Sequence, residues 1–140
     1  MAKRCVFHDT DSTLRERRIF EIVEKAYNQS EKVVIFAPSQ ARAAAIDRIL
    51  WINKQESFIP HRMVADQELE PAVPVAIVTS EMNPIGAGIL VADGHCSLEF
   101  ANGFEIVHEF VDRSSPEIHE ACRERFRAYR ARQISVEHQK

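Results

Sequence analysis

Lys32-Val33-Val34-Ile35-Phe36-Ala37 is apolar at every position after its first. A strand with one solvated face alternates apolar and polar residues, so an unbroken run of this kind reads as a strand covered on both faces. The flanking residues say what covers it. Upstream, Leu14 to Gln29 carries Ile19, Ile22, Val23, Ala26 and Tyr27 on one helical face, with Arg15, Glu16, Glu21, Glu24 and Lys25 mainly opposite. Downstream, Pro38-Ser39 turns the chain into a second helix that starts on a good N-cap and ends at Leu50-Trp51. Arg4-Cys5-Val6-Phe7-His8 is a further short apolar run, followed by the turn- and cap-rich Asp9-Thr10-Asp11-Ser12-Thr13. Strand, helix, strand, helix implies parallel pairing with right-handed crossovers.

The rest of the chain continues the pattern. Val75 to Val78 and Ile89 to Ala92 read as two buried strands with the Asn83-Pro84-Ile85-Gly86 turn between them, and Phe104 to Val111 as a partly alternating strand. Met63 to Pro74 is polar and acidic and reads as a solvated loop. Ser114 or Ser115 before Pro116-Glu117 is a strong helix start, and the last helix is expected to run to about Arg132, with Ile118, Ala121, Cys122, Phe126 and Tyr129 as its apolar stripe. The expectation is one three-layer α/β/α domain over residues 1–133, with a mostly parallel sheet of about five strands. Residues 134–140 are expected to be a frayed tail. The layout is nucleotide-binding-like, but the loop from His8 to Thr13 holds no glycine and no GxxxxGK[ST] occurs, so a phosphate cradle is not expected.

With 45% apolar and 28% charged residues, the chain is globular in composition. No run of eighteen apolar residues occurs and Met1-Ala2-Lys3-Arg4 opens no signal stretch, so a soluble cytoplasmic protein is expected. Cys5, Cys96 and Cys122 form no metal-type pair, and the six histidines show no zinc-ligand spacing. Neither a cofactor nor a metal is expected. The net charge of -3 hides a polarised distribution: no Lys or Arg lies from Met63 to Asp112, whereas Arg123 to Arg132 holds five arginines. A nucleic-acid binder neutralises phosphates along a broad basic face, so direct DNA contact is expected to be weak or absent.

Two stretches carry functional signals. In the first, Leu50-Trp51 is followed after five residues by Ser57-Phe58-Ile59-Pro60-His61. Trp51 falls at a helix end, and Pro60 holds the preceding residues extended, so Trp51 and Phe58 can share one surface. The second is Arg123-Glu124-Arg125-Phe126-Arg127-Ala128-Tyr129-Arg130, where Arg123, Arg127 and Arg130 follow helical spacing beside Phe126. That arrangement suits an acidic peptide ending in a hydrophobic residue: guanidinium forks take carboxylates and an aromatic wall takes the apolar group.

Together, in this order, the two stretches resemble the chi accessory subunit of bacterial DNA polymerase III; between Val75 and Glu105 the match is one of pattern. The resemblance implies a non-catalytic subunit of the replicative polymerase. It implies that Arg123, Phe126 and Arg127 bind the acidic C-terminal tail of single-stranded DNA-binding protein. It also implies that Trp51, Phe58, Pro60 and His61 meet psi, the small subunit that connects chi to the clamp loader, or an equivalent protein, with a helicase as a further partner.

An enzymatic alternative rests on Asp9-Thr10-Asp11-Ser12-Thr13-Leu14, which fits the DxDxTL pattern of haloacid-dehalogenase-type phosphatases, in which the two aspartates serve as nucleophile and acid around Mg²⁺. Thr79 could stand for the second motif of those enzymes. The stretch from Met63 to Asp112 lacks the lysine such an enzyme needs, and Asp93 has no acidic neighbour to complete the metal site. An acidic, hydroxyl-rich loop capping the first helix accounts for the same residues.

Overall fold

In the computed structural model, residues 3–10, 12–52, 59–64 and 73–139 are described. The elements run β1 (Arg4–Asp9), α1 (Ser12–Asn28), β2 (Val33–Phe36), α2 (Gln40–Ile52), β3 (His61–Met63), β4 (Val75–Val78), β5 (Ile89–Ala92), α3 (Leu98–Asn102), β6 (Ile106–Val111), α4 (Pro116–Ala131) and β7 (Ser135–Gln139). Among the described residues, seven strands form one sheet in the order β3-β4-β2-β5-β6-β1-β7, where about five were expected. Its six ladders are all parallel.

The apolar run from Val33 to Phe36 sits inside this sheet. β2 pairs with β4 on one side and β5 on the other, in register from Val33 to Phe36, and Val33, Val34 and Ile35 are fully buried. Period-two alternation sends its side chains to two cores. Val33 and Ile35 join Ile19, Val23, Ile46 and Leu50 beneath α1 and α2. Val34 joins Phe7, Leu90, Val107 and Tyr129 on the α4 side. Truncating a side chain such as Ile35 to alanine is expected to cost about 2–5 kcal/mol.

Loop residues hold the layers together. Asn83 caps the turn before β5, its amide donating to the Ala87 carbonyl at 3.0 Å and its oxygen accepting the Ala87 N–H at 2.9 Å. Gly86 takes the positive φ of 64° that this turn requires. After β5, Gly94 passes so close to Pro38 that a Cβ would lie 2.7 Å from the proline ring.

The C-terminal residues differ from expectation. Rather than fraying, Ser135–Gln139 forms β7, which pairs with β1 from Arg4↔Ser135 to His8↔Gln139. Gln133, with φ of 61°, turns the chain out of α4, Ile134 is buried, and Val136 packs on the core. Arg4 adds a two-pronged contact to Glu137, both bonds at 2.8 Å. An edge strand has only one neighbour and one covered face, so two apolar residues suffice to seat it, and its polar spelling hides it from a hydrophobicity reading.

Candidate functional site

α4 carries the basic stretch, and its local signals work as read: the Ser115 hydroxyl accepts the Ile118 N–H at 3.1 Å, and Pro116 fills the first turn. The inner face of the helix is pinned to β6. Arg125 donates through Nε and Nη2 to the two oxygens of Glu109 at 2.8 and 2.6 Å, and through Nη1 to the Cys96 carbonyl at 2.7 Å. The Tyr129 hydroxyl also donates to Glu109, which is only 1% exposed. Burial, reinforced by the Glu109 charge, pushes the Tyr129 hydroxyl far above its ordinary range, so it remains a donor.

The outer face is different. Arg123 and Arg127 have side chains 58% and 60% exposed and share Glu120 at 3.7 and 3.4 Å, long contacts of little energetic worth. Between them Phe126 is half-buried, its ring 5.3 Å from that of Phe7 on β1. It packs on the core with one side and on its other side lines a groove of about 490 Å³. Phe7, Val111 and Cys122 complete the apolar floor; His119, Arg123, Arg127 and Arg130 stand along the helix wall. Arg113 and His138, from outside α4, complete the lining. The three residues Arg123, Phe126 and Arg127 are thus brought together as expected, and Arg113 and His138 are additions that no motif pointed to. His138 is reached only through β7, and its one signal is the Ile134, Val136 alternation before it.

The tryptophan stretch lies at the other end of the molecule. Trp51 lies in the last turn of α2 with 51% of its surface exposed, next to the terminal Ile52 at 59%. Its ring meets the edge of His61 on β3, centroids 5.0 Å apart. The His61 side chain is covered: its Nδ1 donates to the Ile59 carbonyl at 2.8 Å, while Nε2 lies 3.1 Å from Asp47 Oδ1 but out of line for a hydrogen bond. Pro60 is half-buried and Ile59 fully buried, so the latter anchors the segment to the α2 core. Phe58 lies outside the described residues. β3 and β7 are opposite edges of the sheet, six strand spacings apart, or roughly 29 Å at about 4.8 Å each.

Asp9 of the phosphatase alternative ends β1 with its carboxylate already engaged. Arg113 donates to both of its oxygens, at 3.2 and 2.6 Å, and holds its carboxyl below the usual carboxylate range. A carboxylate paired in this way is poorly suited to attack phosphorus. Asp11 lies outside the described residues, and among the described residues no three His, Cys, Asp or Glu side chains could share a metal ion.

Comparison with known proteins decides between the two readings. The family model of the DNA polymerase III chi subunit, HolC, matches residues 2–137. This chain belongs to that family. Among its chi relatives, the DNA polymerase III subunit chi of Pseudomonas aeruginosa is 30% identical over 128 residues, covering 89% of this chain and 85% of the relative. That of Escherichia coli is 27% identical over 128 residues, covering 87% and 86%. A probable DNA polymerase III subunit chi of Rickettsia prowazekii is 29% identical over 92 residues, covering 65% and 54%. The chi family consists of accessory, non-catalytic subunits of the replicative polymerase. Among the described residues of this chi-family chain, no helix is long and apolar enough to cross a membrane.

Proposed function

We propose that this chi-family chain bridges two proteins of the replication machinery. The α4 groove takes the acidic C-terminal tail of single-stranded DNA-binding protein, and the Trp51 face, with Phe58, Pro60 and His61, takes psi or an equivalent clamp-loader protein. The observation that carries the first half is the groove itself, where exposed Arg123 and Arg127 flank the half-buried Phe126. Guanidinium donors beside an aromatic floor match a peptide with carboxylates upstream of an apolar last residue. The second half is supported by two large apolar side chains, Trp51 and Ile52, left exposed side by side at a helix end. Their separation across the sheet allows both partners to bind at once. A helicase is a further candidate for the Trp51 face. Direct DNA binding contributes little, because the concentrated basic stretch, Arg123 to Arg132, is a single helix end rather than a broad basic face.

Titration of the chain with a short acidic peptide ending in Pro-Phe, at low and at physiological salt, tests the groove. Micromolar binding that weakens with salt and is lost in Arg123→Ala is the expected result. Equal binding by Arg127→Ala, with its fold intact by circular dichroism, would refute the assignment.

A further inference from the structure

The α4 arginines line the groove from the helix; Arg113 and His138 line it from outside α4. Arg113 lies between β6 and α4, and His138 stands beside Phe7 in the β1–β7 register, so both residues meet the groove floor on the α4 side. One carboxylate joins them. Arg113 donates Nε and Nη2 to Asp9, and His138 Nε2 lies 3.3 Å from the same Asp9 Oδ2. The Asp9 side chain is 19% exposed against 56% for Arg113; Asp9 lines the neighbouring cavity but not the groove, whereas Arg113 lines both. Its carboxylate therefore stands behind the two groups it connects. The fork occupies the Nε edge of the guanidinium and leaves the Nη1 edge with donors for a ligand.

We infer that Arg113 and His138, positioned by Asp9, form a second wall of the groove, in which the Arg113 guanidinium binds a carboxylate of the acidic peptide opposite Arg123 and Arg127. The inference rests on the groove being an acidic-peptide site. Its physical basis is preorganisation: a guanidinium already held by a two-pronged bond loses less rotamer freedom on binding than a loose one. Among the described residues, Arg123 and Arg127 have only their long contacts to Glu120, so Arg113 is the better prepared of the three. Two walls also fix the peptide from both sides of Phe126, which a single helical stripe cannot do.

The test uses the same Pro-Phe peptide at low salt with the whole chain. Arg113→Ala is expected to weaken binding about fivefold and to make its salt dependence shallower. Asp9→Asn separates positioning from net charge. Removing a negative charge beside the groove would by itself tighten binding of an acidic peptide, whereas loss of positioning weakens it, by about twofold, with Asp9→Glu closer to the unaltered chain. Tighter binding by Asp9→Asn overturns the positioning role. If Asp9→Asn melts early, Arg113→Lys serves instead: it keeps the charge but not the fork, and is expected to bind as weakly as Arg113→Ala. Binding that Arg127→Ala weakens but Arg113→Ala leaves unchanged overturns the second wall and leaves the groove standing. Absence of binding by the unaltered chain overturns both.

Discussion

Arg125 and Arg127 stand two residues apart on α4 and serve opposite ends. Arg125, 13% exposed, is consumed by Glu109 and the Cys96 carbonyl and fastens the helix to the sheet. Arg127, 60% exposed, has one long contact to Glu120 and faces the groove. The two share a residue type and a helix, so what separates them is the environment each side chain meets. A buried ion pair must be complete or it destabilises, whereas an exposed arginine contributes little to the fold and is left to act on a ligand.

The largest effect that would break this contrast is on the inner side. Glu109→Ala strands the Arg125 guanidinium and the Tyr129 hydroxyl in the core and is expected to cost about 3–5 kcal/mol, read by urea or thermal unfolding. A loss below about 1 kcal/mol would mean that the network does not hold α4 in place. Arg125→Ala should match Glu109→Ala, and the double variant should cost less than the sum of the two.

The contrast sharpens on the opposite face of the sheet, where a buried polar pair is neutral rather than charged. His8 Nε2 and His108 Nδ1 lie 2.9 Å apart, and Arg18 reaches His8 Nδ1 at 2.9 Å. Arg18 can only donate, which leaves the His8 proton on Nε2, where it is donated to His108. Burial first, then the neighbouring positive groups, pushes His8 down to about 3 and His108 down to about 4. The unfolded chain binds protons at both residues below the ordinary histidine value of about 6.5 while the folded one does not, so stability is complete above that pH and falls as pH drops toward 4. A loss of about 3 kcal/mol by pH 5.5 is expected, in a range where the depressed Asp9 and Asp112 carboxyls are still ionised. His8→Gln should flatten the curve; an unchanged slope would assign the acid sensitivity elsewhere.

How much of this was legible follows from what each residue has to do. The central strands were, because burial on both faces demands an unbroken apolar run, and the bounds read for Val75–Val78 and Ile89–Ala92 are those found. β3 and β7 were not: three and five residues at the two sheet edges need little hydrophobicity. The groove was half legible. Helical spacing placed Arg123, Phe126 and Arg127 on one face, but Arg113 and His138 come from different elements and meet only through the crossover from α4 to β7. Arg125 carried an unread signal, since Cys122 and Tyr129, three residues before and four after it, are buried and set it on the inner stripe.

On the outer side the expected effect moves from stability to binding. Arg127→Ala should leave unfolding within about 0.5 kcal/mol of the unaltered chain and weaken the acidic peptide about tenfold, or about 1.4 kcal/mol. A variant that lost both together would place Arg127 in the fold and erase its difference from Arg125.

The smallest expected effect asks whether the two candidate faces are independent. Trp51 is half exposed at the β3 edge, and the groove opens at the β7 edge. Its ring rests on His61, whose Nδ1 is held by the Ile59 carbonyl, so removing the indole uncovers a supported residue rather than opening the core. Trp51→Ala should therefore cost about 1 kcal/mol or less in unfolding and change peptide affinity at α4 by less than about twofold, while abolishing capture of psi. Additivity supports the expectation, because sites more than about 10 Å apart without shared partners contribute separately. A clear fall in peptide affinity would mean that the sheet transmits between its edges, and the bridge would then be a coupled device rather than a rigid spacer.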